Sequence, residues 1–239
     1  DCLLEVDGEI VGFYIRDVTK YSQRLNLLLA VANKEFRSDN VPKQMMDRTT
    51  AIANKFKTEW KGTKSDSVSQ YSTLLGSIAP KPLVRRPYPN IASTHRDKKA
   101  QTFIKAMWGA CLEAEQIIKE LTPKIYERQQ ELFEDVKDEW KFGTMYTSSI
   151  SNFNISAPFH RDTGNIQGTV NIILTKRNNA NGGCLNVPDY NVTFEQADNS
   201  MLVYPAWKNV HGVTPIKPIA DNGYRNSLIF YPLKAFKGI

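Results

Sequence analysis

The stretch Phe159-His160-Arg161-Asp162-Thr163-Gly164-Asn165 constrains the fold more tightly than any other part of the chain. In an extended strand, residues i and i+2 share a face, so His160 and Asp162 can direct a nitrogen and an oxygen at one point while Arg161 turns away. A third ligand must then come from another strand. The chain has three histidines, His95, His160 and His211. His211 lies in Asn209-Val210-His211-Gly212-Val213-Thr214-Pro215, just after an apolar run from Met201 to Tyr204 that reads as a buried strand. Two imidazoles and a carboxylate on a β scaffold make a facial set suited to iron(II), with the remaining positions left open.

His-x-Asp alone is a weak motif and also suits a polar turn. It gains weight from Arg225 in Tyr224-Arg225-Asn226-Ser227-Leu228-Ile229-Phe230-Tyr231. An arginine in a largely apolar strand needs a buried anion, and a dicarboxylate held by the guanidinium fork would supply one. Ser227 lies two residues along on the same strand face and can add a hydroxyl donor.

The second half of the chain reads as many short strands. Segments are expected at 144–154, 166–175, 184–187, 191–195, 200–204, 212–216 and 226–231, with an Asn- and Gly-rich turn over 176–183. Closely spaced strands of this kind indicate a double-sheet jelly roll around a central cavity. The expected class is α+β: a double-stranded β-helix, or jelly-roll, core with N-terminal buttressing helices.

The first half supplies the support. Residues 3–15 predict a hairpin turning at Asp7-Gly8, where the positive-φ requirement is met, and its strands could extend one sheet of the core. Helical periodicity follows from Tyr21 to about Phe36 and a weaker pattern from Val41 to Trp60. The region 72–96 holds Pro80, Pro82, Pro87 and Pro89 and is expected to be irregular, lying over the mouth of the core. Arg85 and Arg86 within it could contact phosphate or a cosubstrate, as could the segment 176–181; His95 is expected to be structural. Thr94-His95-Arg96-Asp97 offers a capping box for a long helix carrying Phe103, Ile104, Met107, Cys111 and Ile118. Pro123 should end that helix and start another. The chain is expected to form a single catalytic domain over 1–239, with 1–139 as hairpin and helical support and 140–239 as the core carrying the metal site.

Composition narrows the setting. With 239 residues and 41% apolar content, one sizeable core is affordable. The net charge of +6 favours an anionic partner. No apolar run reaches the ~18–20 residues of a membrane span, and no secretory leader is visible. Cys2, Cys111 and Cys184 have neither zinc spacing nor the pattern of a disulfide framework, so an intracellular, reducing compartment (cytoplasm or nucleus) is expected.

The run from about Thr144 to Leu233 resembles the catalytic core of iron(II)/2-oxoglutarate dioxygenases, and more narrowly the TET/JBP family of 5-methylpyrimidine hydroxylases. The matching residues are His160-Arg161-Asp162-Thr163-Gly164-Asn165, Gly182-Gly183-Cys184-Leu185-Asn186-Val187-Pro188-Asp189-Tyr190, His211-Gly212-Val213-Thr214-Pro215-Ile216 and Arg225-Asn226-Ser227. Upstream, the helix at Pro123-Lys124-Ile125-Tyr126-Glu127-Arg128-Gln129 is similar to one preceding the core in JBP-like proteins. The resemblance implies Fe(II) on His160, Asp162 and His211, with 2-oxoglutarate as cosubstrate gripped by Arg225 and Ser227. It also implies Asn165 at the Watson–Crick edge of the target base. The implied reaction hydroxylates the methyl of thymine or 5-methylcytosine in DNA, the base flipped out of the stack, with release of succinate and CO2.

Thymine and 5-methylcytosine carry the same methyl at the same ring position, so both stay open, as do DNA, RNA and free nucleotide. The chain has neither a long basic tail nor a cysteine-rich zinc region. A hydroxylase of a protein side chain, prolyl-hydroxylase-like, or of a small metabolite is the alternative. A jelly-roll binding module without catalysis is the third reading, disfavoured because triad, arginine and serine occur together.

Overall fold

The computed structural model describes residues 1–45, 69–81 and 87–239. Two strands, β1 (Cys2–Val6) and β2 (Glu9–Ile15), form the expected hairpin, with Asp7 and Gly8 at φ 53° and 80°. Helix α1 (Gln23–Arg37) starts where the Ser22 hydroxyl accepts the Leu25 amide. Strands β3 (Gln44–Met45), β4 (Tyr71–Ile78) and β5 (Asn90–Ile91) follow, then α2 (Gln101–Leu121) and α3 (Pro123–Leu132). The remaining strands are β6 (Ser148–Phe153), β7 (Ala157–His160), β8 (Asn171–Asn178), β9 (Ala180–Gly182), β10 (Leu185–Val187), β11 (Val192–Phe194), β12 (Met201–Tyr204), β13 (His211–Val213), β14 (Ile216–Pro218) and β15 (Tyr224–Tyr231).

Among the described residues these strands build a major sheet in the order β1-β2-β12-β8-β15-β6-β4-β3, with β5 on β4, and a minor sheet in the order β11-β10-β13-β7; β9 and β14 pair separately. The strand pairs are antiparallel throughout. The two sheets face one another, as the jelly-roll expectation requires, and the N-terminal hairpin does extend the major sheet, through β2 on β12.

Side-chain alternation on β15 shows how the layers are divided. Arg225, Ser227, Ile229 and Tyr231 line the cavity between the sheets, while Leu228 and Phe230 belong to the core beneath the helices. That core joins Leu25, Leu29 and Phe36 of α1 to Phe103, Met107 and Ile118 of α2 and to Ile172, Leu174 and Val203 of the sheet. Each such side chain, fully buried, stabilises the fold by about 1.5–3 kcal/mol. Gly109 lets α1 approach closely: a Cβ there would lie 3.1 Å from Leu28. A buried polar tie adds register, with Asn226 donating to Asn33 (2.6 Å) and Asn33 donating to the Tyr224 hydroxyl (2.9 Å). The helices therefore buttress the outer face of the major sheet, as expected.

Several boundaries differ from the sequence reading. The region 72–96 is not irregular throughout: Tyr71–Ile78 is an eight-residue strand paired with β6, buried along most of its length, and the prolines of the region all lie beyond it. The helix expected from Val41 to Trp60 gives way at its start to β3; most of the remainder, and Arg85 and Arg86, lie outside the described residues. The capping box at Thr94 heads only a 3-10 turn, Ser93–Arg96, and α2 begins at Gln101, whose side chain reaches back to the His95 and Asp97 carbonyls. The strand expected over 166–175 is β8, shifted to Asn171–Asn178, so the turn expected over 176–183 shrinks to Asn179 at φ 40° between β8 and β9. The 212–216 strand splits into β13 and β14. The strand expected from Thr144 begins at Ser148; the preceding Thr144 and Met145 amides donate instead to buried Glu115. Pro123 does start α3. No described helix is long and apolar enough to cross a membrane.

Candidate active site

His160 ends β7 and His211 begins β13, and the two are paired in register across the minor sheet. Their rings lie 4.3 Å apart, centre to centre. Asp162 follows β7 in a turn closed by the Asn165 amide on the Asp162 carbonyl (3.0 Å) and anchored by its own amide on Ala206 (3.0 Å). Its Oδ1 lies 3.5 Å from His160 Nε2 and 3.9 Å from His211 Nε2. One ligand atom from each of the three residues falls within 4.8 Å of the others, the only such group of three among the described residues.

The protonation pattern suits a metal. Nδ1 of His160 meets the Pro158 carbonyl at 2.7 Å, and Nδ1 of His211 meets the Asn209 carbonyl at 3.0 Å. A carbonyl only accepts, so each Nδ1 carries a hydrogen, and Nε2 is the nitrogen that a neutral ring presents to a metal. Burial, and then the neighbouring His160, hold His211 below its ordinary value against the opposing pull of Asp162 and so favour the neutral ring.

The cavity between the sheets is about 330 Å³. Its floor, on the major sheet, is built in cross-strand rows. Ser227 pairs with Asn152 on one side and Thr175 on the other; two residues along, Ile229 lies between Ile150 and Ile173. A polar row is thus followed by an apolar one. Arg225 sits beyond the polar row and is 2% exposed. Burial, helped by the charge of Arg177, lowers its pKa to about 10. Its Nη2 donates to Gln196 Oε1 (3.2 Å), but Nε has no hydrogen-bond partner, and no described carboxylate pairs with the guanidinium. A buried cation short of partners at the end of a polar-then-apolar floor fits a dicarboxylate with a short methylene chain.

The sequence-predicted residues His160, Asp162, His211, Arg225, Ser227 and Asn165 all line this one cavity. His95 is structural, its Nε2 accepting the Gly76 amide (2.8 Å). The cations of 176–181 are not free for phosphate. Lys176 bonds Asp198 and Asn199, and Arg177 donates to the carbonyls of Glu195, Gln196, Ala180 and Gly182. Sequence reasoning missed Asn152, Asn171 and Gln196. Asn152 and Asn171 are polar residues on largely apolar or small-residue strands, a weak signal; Gln196, at φ 55°, carries none.

Fold and site together define an iron(II)- and 2-oxoglutarate-dependent dioxygenase. The chain belongs to the Tet/JBP family, the oxygenase domain of the 2OGFeDO superfamily, whose model matches residues 85–234. No curated protein sequence matches the chain significantly. Among solved structures, it is similar to NgTET1 in complex with 5mC DNA, at 15% identity over 97% of this chain and 75% of that one, with a TM-score of 0.61. It is also similar to OsALKBH1 (12% identity, 97% and 100% covered, TM-score 0.47). A third is a prolyl hydroxylase from Trichoplax adhaerens in complex with a hypoxia inducible factor peptide (10% identity, 92% and 83% covered, TM-score 0.45).

Proposed function

We propose that this dioxygenase hydroxylates the methyl group of a 5-methylpyrimidine, thymine or 5-methylcytosine, in DNA. His160, Asp162 and His211 hold Fe(II), and Arg225 with Ser227 holds the far carboxylate of 2-oxoglutarate. The iron, with 2-oxoglutarate and dioxygen, supplies the oxidation: the methyl becomes hydroxymethyl, and the cosubstrate leaves as succinate and CO2. The chain's own part is to position and to exclude. The two Nδ1–H···O=C bonds aim the imidazoles, Arg225 sets the orientation of the cosubstrate, and the isoleucine row keeps water from its methylenes. The whole of 1–239 is read as one catalytic domain.

The observation that carries this reading is the single cavity that brings the triad and the buried Arg225 together with Asn165, within a chain of the Tet/JBP family. At about 330 Å³ it is within the ~300–1,000 Å³ of small-molecule sites, so a base must leave its duplex to enter. The net charge of +6 suits a polyanion, and the similar NgTET1 fold was solved with 5mC DNA. Asn165 then faces the edge of the flipped base.

The test is mass spectrometry of nucleosides from methylated DNA, thymine-containing DNA and RNA incubated with protein, Fe(II) and 2-oxoglutarate. Hydroxymethylated pyrimidine in DNA is the expected result. Its absence from every nucleic acid, with succinate formed on a peptide or metabolite, would transfer the activity to the side-chain or metabolite class.

A further inference from the structure

Asp162 reaches the metal position with Oδ1, and its other oxygen has a partner of its own. Asn171, the first residue of β8, donates from Nδ2 to Asp162 Oδ2 at 2.9 Å. Asn165 in turn donates from Nδ2 to Asn171 Oδ1 at 2.8 Å. Asn171 is 2% exposed and Asn165 3%, so water does not compete freely for either amide.

The direction of this chain is set from one end. An ionised carboxylate only accepts, so Asn171 must turn its NH2 toward Asp162 and its carbonyl toward Asn165. Asn165 must then turn its own NH2 toward Asn171, which leaves its Oδ1 as the acceptor it can offer elsewhere. Neither amide can flip without setting two donors or two acceptors against each other.

We propose that Asn171 is a positioning residue. It ties down Oδ2 so that Asp162 offers the metal a single oxygen, and it fixes which face of Asn165 meets the cavity. Loss of the tie frees Asp162 to rotate or to chelate through both oxygens, and frees Asn165 to present either end. The substrate half of the proposal rests on the function proposed above: the group over Asn165 must bring an N–H, as the 4-amino group of 5-methylcytosine or N3 of thymine does. The metal half is independent of the substrate's identity.

The test reads metal affinity without turnover. Mn(II) binding to metal-free protein is titrated by calorimetry or electron paramagnetic resonance for wild type, Asn171→Leu and Asn165→Leu. Leucine matches the shape and removes the hydrogen bonds. Asn171→Leu is expected to weaken Mn(II) binding about 10- to 100-fold, the usual effect of removing an outer partner of a ligand. Asn165→Leu should cost less, roughly two- to tenfold, since it removes one neutral hydrogen bond at a further step. The visible spectrum of Co(II)-loaded Asn171→Leu should also change, reporting an altered carboxylate mode. Wild-type Mn(II) affinity in either variant, or a larger loss in Asn165→Leu than in Asn171→Leu, overturns the proposal. Melting curves establish that the variants fold. If Asn171→Leu does not, Asn171→Thr takes its place, since threonine suits a strand and its hydroxyl is too short to reach Asp162. Oxidised nucleosides bear on the proposed function alone; the Mn(II) titration bears on Asn171 alone.

Discussion

His211 stands directly across from His160 on neighbouring antiparallel strands, and Asp162 lies just beyond, its Oδ1 within 4 Å of both Nε2 atoms. A cross-strand pair holds its side chains at fixed spacing whatever the loop between them does. The two imidazoles are therefore built into the ladder of the minor sheet.

Removing either of two ligands should then empty the site. His160→Ala and Asp162→Ala are each expected to abolish Mn(II) binding and to lower iron-dependent succinate formation to that of a control without protein. The measurements are a metal titration and a succinate assay. Retained turnover in either variant would show that the metal is held elsewhere.

Arg225 has a fully buried guanidinium, a pKa lowered to about 10, and one unpartnered Nε. Arg225→Ala should raise the KM for 2-oxoglutarate by roughly 10- to 100-fold, the value of a charge-assisted hydrogen bond or two. The effect on kcat at saturating cosubstrate should be smaller. An unchanged KM would place the cosubstrate away from this arginine.

His95 accepts the Gly76 amide through Nε2, which it can do only when that nitrogen is unprotonated. Burial holds its pKa below the ordinary value of about 6.5. The unfolded chain therefore binds more protons than the folded one just below that pH, so this contribution to stability is present above about pH 6.5 and is lost as the pH falls through the folded pKa. Urea unfolding from pH 7 to 5 should show the loss, and His95→Gln, which keeps an acceptor and does not titrate, should flatten it. His95→Leu should destabilise by about 1–3 kcal/mol at pH 7, the cost of an unpaired buried amide.

Glu115 acts in the opposite sense. Burial raises its pKa, although it accepts the amides of Thr144 and Met145 and the Thr144 hydroxyl. The folded state binds the extra proton, so this group's contribution is greatest below about pH 4.5 and declines as the pH rises through the folded pKa. Glu115→Gln should remove that decline while keeping the amide acceptor. Glu115→Ala should cost about 1–3 kcal/mol for each amide left unpaired, read from thermal or urea unfolding at pH 7.

What the sequence by itself determined is what has a local cause. The two-residue spacing of His160 and Asp162 aims both at one point, although Asp162 lies in the turn just past β7; the Asp7-Gly8 pair sets the hairpin, the helical periodicity from Tyr21 to about Phe36 and the spacing of Phe103, Met107, Cys111 and Ile118 set the buttress, and Pro123 divides α2 from α3. Arg225 declares its need for an anion because a charge stands among apolar neighbours. Tertiary structure alone decided what depends on partners far along the chain. It put Tyr71–Ile78 beside β6 inside the major sheet, Gln196 on Arg225, and Asn171 on the metal-facing carboxylate. A lone amide or a short strand has no period to read; its role comes from which group the folded backbone sets within hydrogen-bond reach, and that distance exists only after the sheets have paired.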